Sequence, residues 1–522
     1  MVKEIWLVSR ELGGWAEAGG VKDVVRDQAT AFPSIGWATH VVIPLYGFLQ
    51  DRVNRDATLV WSGVSERPSG PVPLEAWTVR NGNHRVHFLR SPGFDDKNSL
   101  YTYTLEDERR NGNNIRGEGF SDGFTLNLEF QWGVATYWKA MGVKPPVVLC
   151  HDGHTGFLAA IARTHAGFGS WFHSTTFGLL IHNAGPGYRQ EMPAIPRNEA
   201  LIGLSPGEVK GSLLDHHYDP IVSASRHSRL ATVSENYADE LKTGRNDHWS
   251  GPFGRWLRNS GTPLEGITNG LSTDDKDPRY PEAAGIPFGF DPLRGDWAGK
   301  ELCRGFLREQ VLLKPVSTYG RLIQWNGPLY VMQGRLTAQK GVDALYELTS
   351  RALQEKPRAS FLIMAQGERR YEEKMIFLAR NNIETGRFLF INKFEEALAR
   401  LVFAAGDFFL MPSEYEPCGL TDLKAQLMGT LPIVHRVGGL VKVLDSKTGF
   451  SYEKHRQGGF WGAFVRTLEL WESQPELLAS LKRQAFTSVV EGSQWPRILE
   501  TKYLPWLTDR GRFSILSPPL PT

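Results

Sequence analysis

Short apolar, β-branched runs alternate along this chain with segments whose apolar residues recur every three to four positions. That rhythm predicts parallel strands joined by crossover helices. Glu4–Ser9 reads as the first strand and ends at the turn Glu11-Leu12-Gly13-Gly14. Behind Gly19-Gly20, the residues Val21, Val24, Val25, Ala29 and Phe32 share one helical face, which Pro33 and Gly36 close. Thr39–Leu45 returns as a strand, and Pro146–Cys150, Thr176–Ile181 and Arg229–Val233 follow, each running into a turn or helix start. Residues 60–135 resist placement, with mixed polarity and the loop-like Asn111-Gly112-Asn113-Asn114.

A stretch without periodicity at about 272–299 carries Pro278, Pro281, Gly285, Pro287, Gly289, Pro292, Gly295 and Gly299. Beyond it the rhythm restarts with a helix over Lys300–Leu313 and strands near Leu329–Met332, Ser360–Ala365, Arg387–Ile391, Asp407–Met411 and Leu431–Val434. The expected class is α/β, with two Rossmann-like, doubly wound domains facing across a deep cleft. The expected spans are 1–285, 286–490 and a C-terminal helix and tail over 491–522. Ligands of open α/β sheets bind at the carboxyl ends of strands, so the loops there are the candidate chemistry. A short tail, Leu516-Ser-Pro-Pro-Leu-Pro-Thr522, is the one low-complexity end.

Composition narrows the function classes. The 522 residues hold 59 Lys+Arg against 57 Asp+Glu, a net charge of +2 that gives no bulk drive toward nucleic acid or anionic membrane. No apolar run approaches the ~18 residues of a membrane helix, and the N-terminal run is too short for a signal-peptide core. Cys150, Cys303 and Cys418 lie too far apart for a disulfide framework or a zinc set. A cytoplasmic protein with no nucleic-acid or membrane partner is expected.

Three loops carry candidate chemistry. Gly13-Gly14-Trp15-Ala16-Glu17-Ala18-Gly19-Gly20 joins a strand to a helix N-terminus, which favours an anion. It has neither the Lys of an NTPase loop nor the dinucleotide fingerprint, and tight-turn glycines explain it equally. Gln333-Gly334-Arg335-Leu336-Thr337-Ala338-Gln339-Lys340-Gly341 sets two cations five residues apart after a strand, suited to clamping a diphosphate or to a solvated surface pair. Pro412-Ser413-Glu414-Tyr415-Glu416-Pro417-Cys418-Gly419-Leu420-Thr421 follows another strand and leads into a helix beginning around Gly419 through Asp422. Glu416 is there badly placed for phosphate and well placed for sugar hydroxyls or a developing cation, or is simply a helix-terminal charge. Cys418 reads as a small buried residue. His151-Asp152-Gly153-His154 and His182-Asn183, also at strand ends, make a weak metal signal and a plausible cleft lining.

Taken in order, these pieces resemble the bacterial glycogen synthase and plant starch synthase family of nucleotide-sugar glucosyltransferases. The carriers are Gly334–Gly341, Phe409–Thr421 with its Glu-Pro-Cys-Gly-Leu-Thr block, Gly429–Val434 and Gly438-Gly439-Leu440. Ala18–Val24, His151–Gly156, Ile181–Asn183, Thr232–Ala238 and Gly266–Gly270 support them. The resemblance covers nearly the whole chain and is weakest over 50–145. It implies the GT-B fold, a C-terminal helix within 493–509, and retaining transfer of glucose from ADP-glucose to the non-reducing end of an α-1,4-glucan or glycogen acceptor. It also implies no cofactor and no essential metal. Arg335 and Lys340 would hold the donor diphosphate, with Gly20, Leu420 and Thr421 adding donors to phosphate. Asp23, His182, Asn269, Glu416, Cys418 and Gly419 would line the glucose, and Phe394 would stack near the adenine. Glu416, Arg335, Lys340 and His182 are the catalytic candidates. UDP-glucose as donor, or a weakly active or non-catalytic glucan-binding homologue, are the alternatives.

The chain departs from the family pattern at several positions. Glu17 stands where the family has Lys, beside Lys22 at a usually small position. Phe394 replaces Tyr, Val437 replaces Thr, Gly153 replaces Trp and Glu414 replaces Arg, while Ser272 and Lys276 interrupt the pattern after Asn269. A carboxylate ~4–6 Å from a diphosphate would cost on the order of 1–4 kcal/mol at moderate dielectric, so Glu17 must turn away, be offset by Lys22, or change donor handling.

Overall fold

The computed structural model describes residues 3–65, 67–313, 317–454 and 458–509. The tail Leu516–Thr522 lies outside the described residues. Two compact units result: one holds the chain up to Thr268 and from Trp495 onward, the other Asn269–Gln494. The Pro/Gly-rich stretch 272–299 therefore lies within the second unit.

The first unit is built on a nine-stranded sheet. From edge to edge its strands are Leu264–Gly266, Arg229–Thr232, Thr176–Ile181, Val147–His151, Glu4–Val8, Ala38–Pro44, His84–Arg90, Val72–Asn81 and Thr58–Ser65. The first seven run parallel, and their continuous apolar stretches are buried: Ile5, Leu7, Val41, Ile43, Leu149 and Leu180 have no exposed surface. That is the signature of a sheet covered on both faces. On the helix Val21–Ser34, Val24, Val25, Ala29 and Phe32 are buried as their spacing predicts.

Residues 60–135 hold what the periodicity left open. Thr58–Ser65 and Val72–Asn81 are antiparallel, so the sheet is mixed rather than wholly parallel. The helix Gly123–Ala140 is buried at every residue from Leu126 to Trp138. At the far end of the chain, Trp495–Ile498, a π-helical turn Leu499–Tyr503 and Leu504–Thr508 join this same unit. Trp506 and Leu507 lie over Gly178, where a Cβ would sit 2.6 Å from Leu507. Arg229 donates to the Trp506 carbonyl and, at 2.8 Å, to that of Asp509.

The second unit carries seven strands in the order Thr318–Leu322, Arg387–Ile391, Ser360–Gly367, Leu329–Leu336, Phe408–Met411, Leu431–His435 and Phe450–Tyr452. All are parallel except the edge strand Thr318–Leu322. One apolar layer packs Leu345, Met375 and Phe464 against a face of the sheet, and the opposite layer packs Leu307, Val402 and Leu440. Helices on both faces fix the doubly wound class. The strand expected to end at Met332 continues to Leu336, because Arg335 and Leu336 stay in register with Gln366 and Gly367. Arg335 is thus on the strand end rather than in the loop. Among the described residues no helix is long and apolar enough to cross a membrane.

Candidate functional site

In the second unit, the candidate residues gather at the carboxyl ends of three parallel strands. Arg335 is the register partner of Gln366, whose side-chain oxygen accepts the Phe394 N–H at 3.3 Å. Arg335 and the Phe394 loop therefore share one edge, and Phe394 presents a ring that is 58% exposed. Gly334, at φ +151°, adopts a conformation open to glycine and hardly to other residues.

Lys340 closes the 3₁₀ turn Ala338–Lys340, and Gly341 follows it at φ +67°. A Cβ at Gly341 would lie 2.0 Å from the Pro412 carbonyl, so bare backbone presses the Lys340 loop onto the next one. Gln339 donates to the Tyr415 carbonyl at 2.9 Å, and the Glu414 N–H donates to the Gln339 carbonyl at 2.8 Å. These contacts set Lys340 Nζ 2.5 Å from Glu416 Oε2, with Ser413 Oγ donating to the same oxygen at 3.1 Å. Glu416 is thus the ion-pair partner of Lys340 rather than a helix-terminal charge.

The glycine pair Gly438-Gly439 supports that loop from behind. A Cβ at either would fall about 2 Å from the Glu416 or Cys418 carbonyl, and the Gly439 N–H donates to the Glu416 carbonyl at 2.9 Å. Lys442, which sequence reasoning missed, donates to the carbonyls of Cys418 at 2.6 Å, Gly419 at 2.8 Å and Gly439 at 3.1 Å, and pairs with Asp422 at 3.1 Å. Lys442→Met should lower kcat/KM by about 10²-fold through misplacement of the loop. Lys442→Arg should recover part of that loss. Steady-state kinetics of both variants check this, and unchanged kinetics in folded Lys442→Met would dismiss the positioning role.

Cys418 is buried, which pushes its thiol up to about 11 against the opposing pull of Lys442 and the Asn269 backbone. It is therefore no nucleophile at neutral pH, and Asn269 stands beside it. Gly419, at φ +73°, turns the chain into the helix Thr421–Leu427, which Leu420 caps. The helix begins at Thr421, within the expected stretch Gly419 through Asp422. Thr421 Oγ1 donates to the Met411 sulfur at 3.7 Å, a weak bond that a stronger acceptor would replace.

Gly20, Asp23 and His182 belong to the first unit. Gly20 caps the helix Val21–Ser34 at φ −77°, and a Cβ there would meet no atom within 4 Å. Neither conformation nor packing requires a glycine at this position. Glu11, another residue missed in the sequence, holds the loop: it accepts the Gly19 N–H at 2.8 Å and the Tyr101 hydroxyl at 2.9 Å. Asp23 lies in the first turn of that helix, its carboxylate 3.7 Å from the Arg26 guanidinium.

Asp152 sits at φ +58°, and its carboxylate accepts the N–H groups of His182 at 2.6 Å and Asn183 at 3.4 Å. Burial raises its pKa to about 8 against those two donors. The His182 ring meets His151 at 3.0 Å, and burial lowers the His182 pKa to about 3. His182 is thus a neutral hydrogen-bonding group at working pH, not a proton-carrying acid. Among the described residues no three His, Cys, Asp or Glu are grouped to hold a metal ion.

Several departures acquire physical reasons. Glu17 accepts the Gly14 N–H at 2.5 Å and pairs with Lys22 at 2.8 Å. Burial pushes the Glu17 carboxyl up, but these two donors outweigh it and hold it below its usual value. Acid and base in this loop therefore cancel. Glu17→Gln should free the Lys22 charge and tighten a diphosphate ligand by roughly fivefold, about 1 kcal/mol of screened attraction. Calorimetry with ADP checks it; weaker or equal binding would show that Lys22 does not reach phosphate. Gly153 cannot be Trp here, because its Cβ would fall 1.9 Å from the Arg189 carbonyl. Glu414 pairs with Lys454 at 2.5 Å, and Lys276 with Asp275.

Comparison with known proteins fits this geometry. Residues 4–254 match the family model described as the starch synthase catalytic domain, and residues 322–487 match glycosyl transferases group 1. Glycogen synthase of Aeromonas hydrophila is 28% identical over 499 residues, covering 93% of this chain and 94% of that protein. Glycogen synthase of Vibrio cholerae is 26% identical over 492 residues, covering 92% and 94%. Among solved structures, the catalytic domain of starch synthase IV from Arabidopsis thaliana, bound to ADP and acarbose, superposes with a TM-score of 0.78 at 22% identity. That superposition covers 97% of this chain and 99% of the other. Sucrose-phosphate synthase from Thermosynechococcus elongatus gives 0.54 at 16% identity, covering 96% and 98%. Two Rossmann-like units of the GT-B class, and full-length similarity to glycogen synthases, agree with the motifs: the chain belongs to the glycogen and starch synthase family of glycosyltransferases.

Proposed function

We propose that this chain transfers glucose from ADP-glucose to the non-reducing end of an α-1,4-glucan, with retention at the anomeric carbon. The observation that carries the reading is the Lys340–Glu416 pair, 2.5 Å apart at the strand end that also bears Arg335. Transfer expels a diphosphate while positive charge grows on the sugar ring, so it needs cations toward the leaving group and an electron-rich group toward the sugar. Arg335 and Lys340 supply the cations. An incoming diphosphate competes with Glu416 for Lys340, and the carboxylate so released stabilises the developing oxocarbenium charge.

Gly20, Leu420 and Thr421 add N–H or hydroxyl donors to the phosphates. Asp23, His182, Asn269, Cys418 and Gly419 bind the glucose, with His182 neutral and therefore a hydrogen-bond partner only. Phe394 offers its exposed face to the adenine. The solved starch synthase IV with ADP and acarbose supports an ADP-sugar donor and a glucan acceptor. Competition binding tests the donor: ADP should bind at least tenfold more tightly than UDP. Equal binding, or preference for UDP, would overturn the ADP-glucose assignment.

A further inference from the structure

Two histidines meet at the carboxyl ends of neighbouring strands in the first unit. His151 closes the strand Val147–His151 as the register partner of Leu180, and His182 stands one residue beyond Thr176–Ile181. Their side chains approach through His151 Nδ1 and His182 Nε2, 3.0 Å apart. The ring centroids lie 5.3 Å apart and the planes differ by 21°. A centroid distance so much longer than the nitrogen distance means that the rings lie edge to edge, near one plane, and not face to face. Each nitrogen then aims its proton or its lone pair along the line between the rings, the alignment a hydrogen bond prefers.

Both ends of this pair are held. Thr155 Oγ1 donates to the His151 carbonyl at 2.9 Å, and Asp152 accepts the His182 N–H at 2.6 Å. Burial keeps both imidazoles neutral, so each carries one N–H and one bare nitrogen. One ring therefore donates and the other accepts.

The choice turns on the far side of His151. That residue is 1% exposed, and its Nε2 is buried with no hydrogen-bond partner among the described residues. Were His182 the donor, the His151 proton would sit on Nε2, an N–H walled off from every acceptor. Orphaned buried N–H groups are rare in folded proteins, rarer than acceptors short of a partner.

We infer that His151 is a positioning residue that sets the tautomer of His182: the His151 Nδ1–H donates to His182 Nε2, which leaves the His182 proton on Nδ1. Among the described residues no hydrogen bond reaches that nitrogen, and His182 is only half-buried. It offers a neutral donor to a ligand that brings an accepting oxygen. A sugar hydroxyl does so, whereas an ammonium group in its place cannot. That the ligand is glucose rests on the proposed transferase reading; the tautomer does not.

Long-range proton–nitrogen correlation spectra of the full chain, isotope-labelled at histidine, read the tautomer directly. The His182 signals are those missing from His182→Asn. At neutral pH the native protein should show His182 protonated at Nδ1 and bare at Nε2. A protonated Nε2 on His182 would overturn the inference. His151→Asn keeps an N–H donor where Nδ1 stood, and His151→Leu removes it. The leucine variant should move His182 toward its Nε2–H form and lower kcat/KM by roughly three- to tenfold, the worth of one neutral hydrogen bond. The asparagine variant should keep the native tautomer and recover most of that loss. Equal losses in both variants, with the His182 tautomer unchanged in each, would overturn the positioning role. Should the leucine variant fail to fold, the native spectrum decides alone. The Nδ1–H form in a protein that transfers no glucose would uphold the role of His151 and overturn the transferase reading instead.

Discussion

Replacing Lys340 with alanine is expected to lower turnover by roughly 10²–10³-fold, the usual consequence of removing one preorganised donor to a developing anion. Two effects combine. The leaving diphosphate loses a cation, and Glu416, which Lys340 holds at 2.5 Å, is left as an unbalanced carboxylate beside it. Lys340→Arg keeps the charge but replaces a point donor with a planar fork on a different stem, so it should recover only part of the rate. Arg335→Ala should fall in the same range. Single-turnover and steady-state kinetics of the three variants check this, and a loss below about threefold would remove the altered residue from the site.

The largest expected effect on stability is at Asp407. Burial alone would push this carboxyl up, but Lys482, Arg304 and the Leu329 N–H outweigh it and hold it well below the usual carboxylate range. Asp407→Ala leaves two cations facing each other in a buried pocket, which should destabilise the second unit by about 3–5 kcal/mol. Because the folded-state pKa is depressed, the stability from Asp407 is present above the unfolded value of about 4 and lost as pH falls below it. Hydrogen exchange over Leu329–Leu336 reads this unit separately from the other. Faster exchange at pH 7 and a flatter response to acid are expected in the variant. Native-like exchange would mean that the cations relax to solvent without cost.

The strands and loops that carry the candidate residues were legible because their signals are local. Buried parallel strands read as apolar runs, and Gly334–Gly341 and Phe409–Thr421 follow such runs directly. The hairpin Val72–Arg90 had a local signal too: the two-residue turn Gly82-Asn83 joins its strands, with Asn81 paired to His84 and Gly82 at φ +60°. The helix Gly123–Ala140 had none, since a segment buried on all sides shows no amphipathic period. The end of the strand at Leu336 was obscured by Gly334, which looks like a turn residue and instead stays in register at a glycine-only angle.

Glu11 and Lys442 were illegible for another reason. Each acts on backbone groups brought near by folding, such as the Gly19 N–H or the Cys418 carbonyl, and no spacing in the sequence announces such a contact. Glu17 was legible as a departure, but its pairing with Lys22 was one of three open outcomes until the loop geometry set it. The neutral state of His182 likewise follows from burial, which sequence position alone does not reveal.

The most direct test is incorporation of labelled glucose into glycogen from ADP-glucose, run beside UDP-glucose and beside the Lys340→Ala variant. Preferential incorporation from ADP-glucose, lost in the variant, is the predicted result. Preferential incorporation from UDP-glucose, or none from either donor in protein that still binds glycogen, would contradict the proposed reaction.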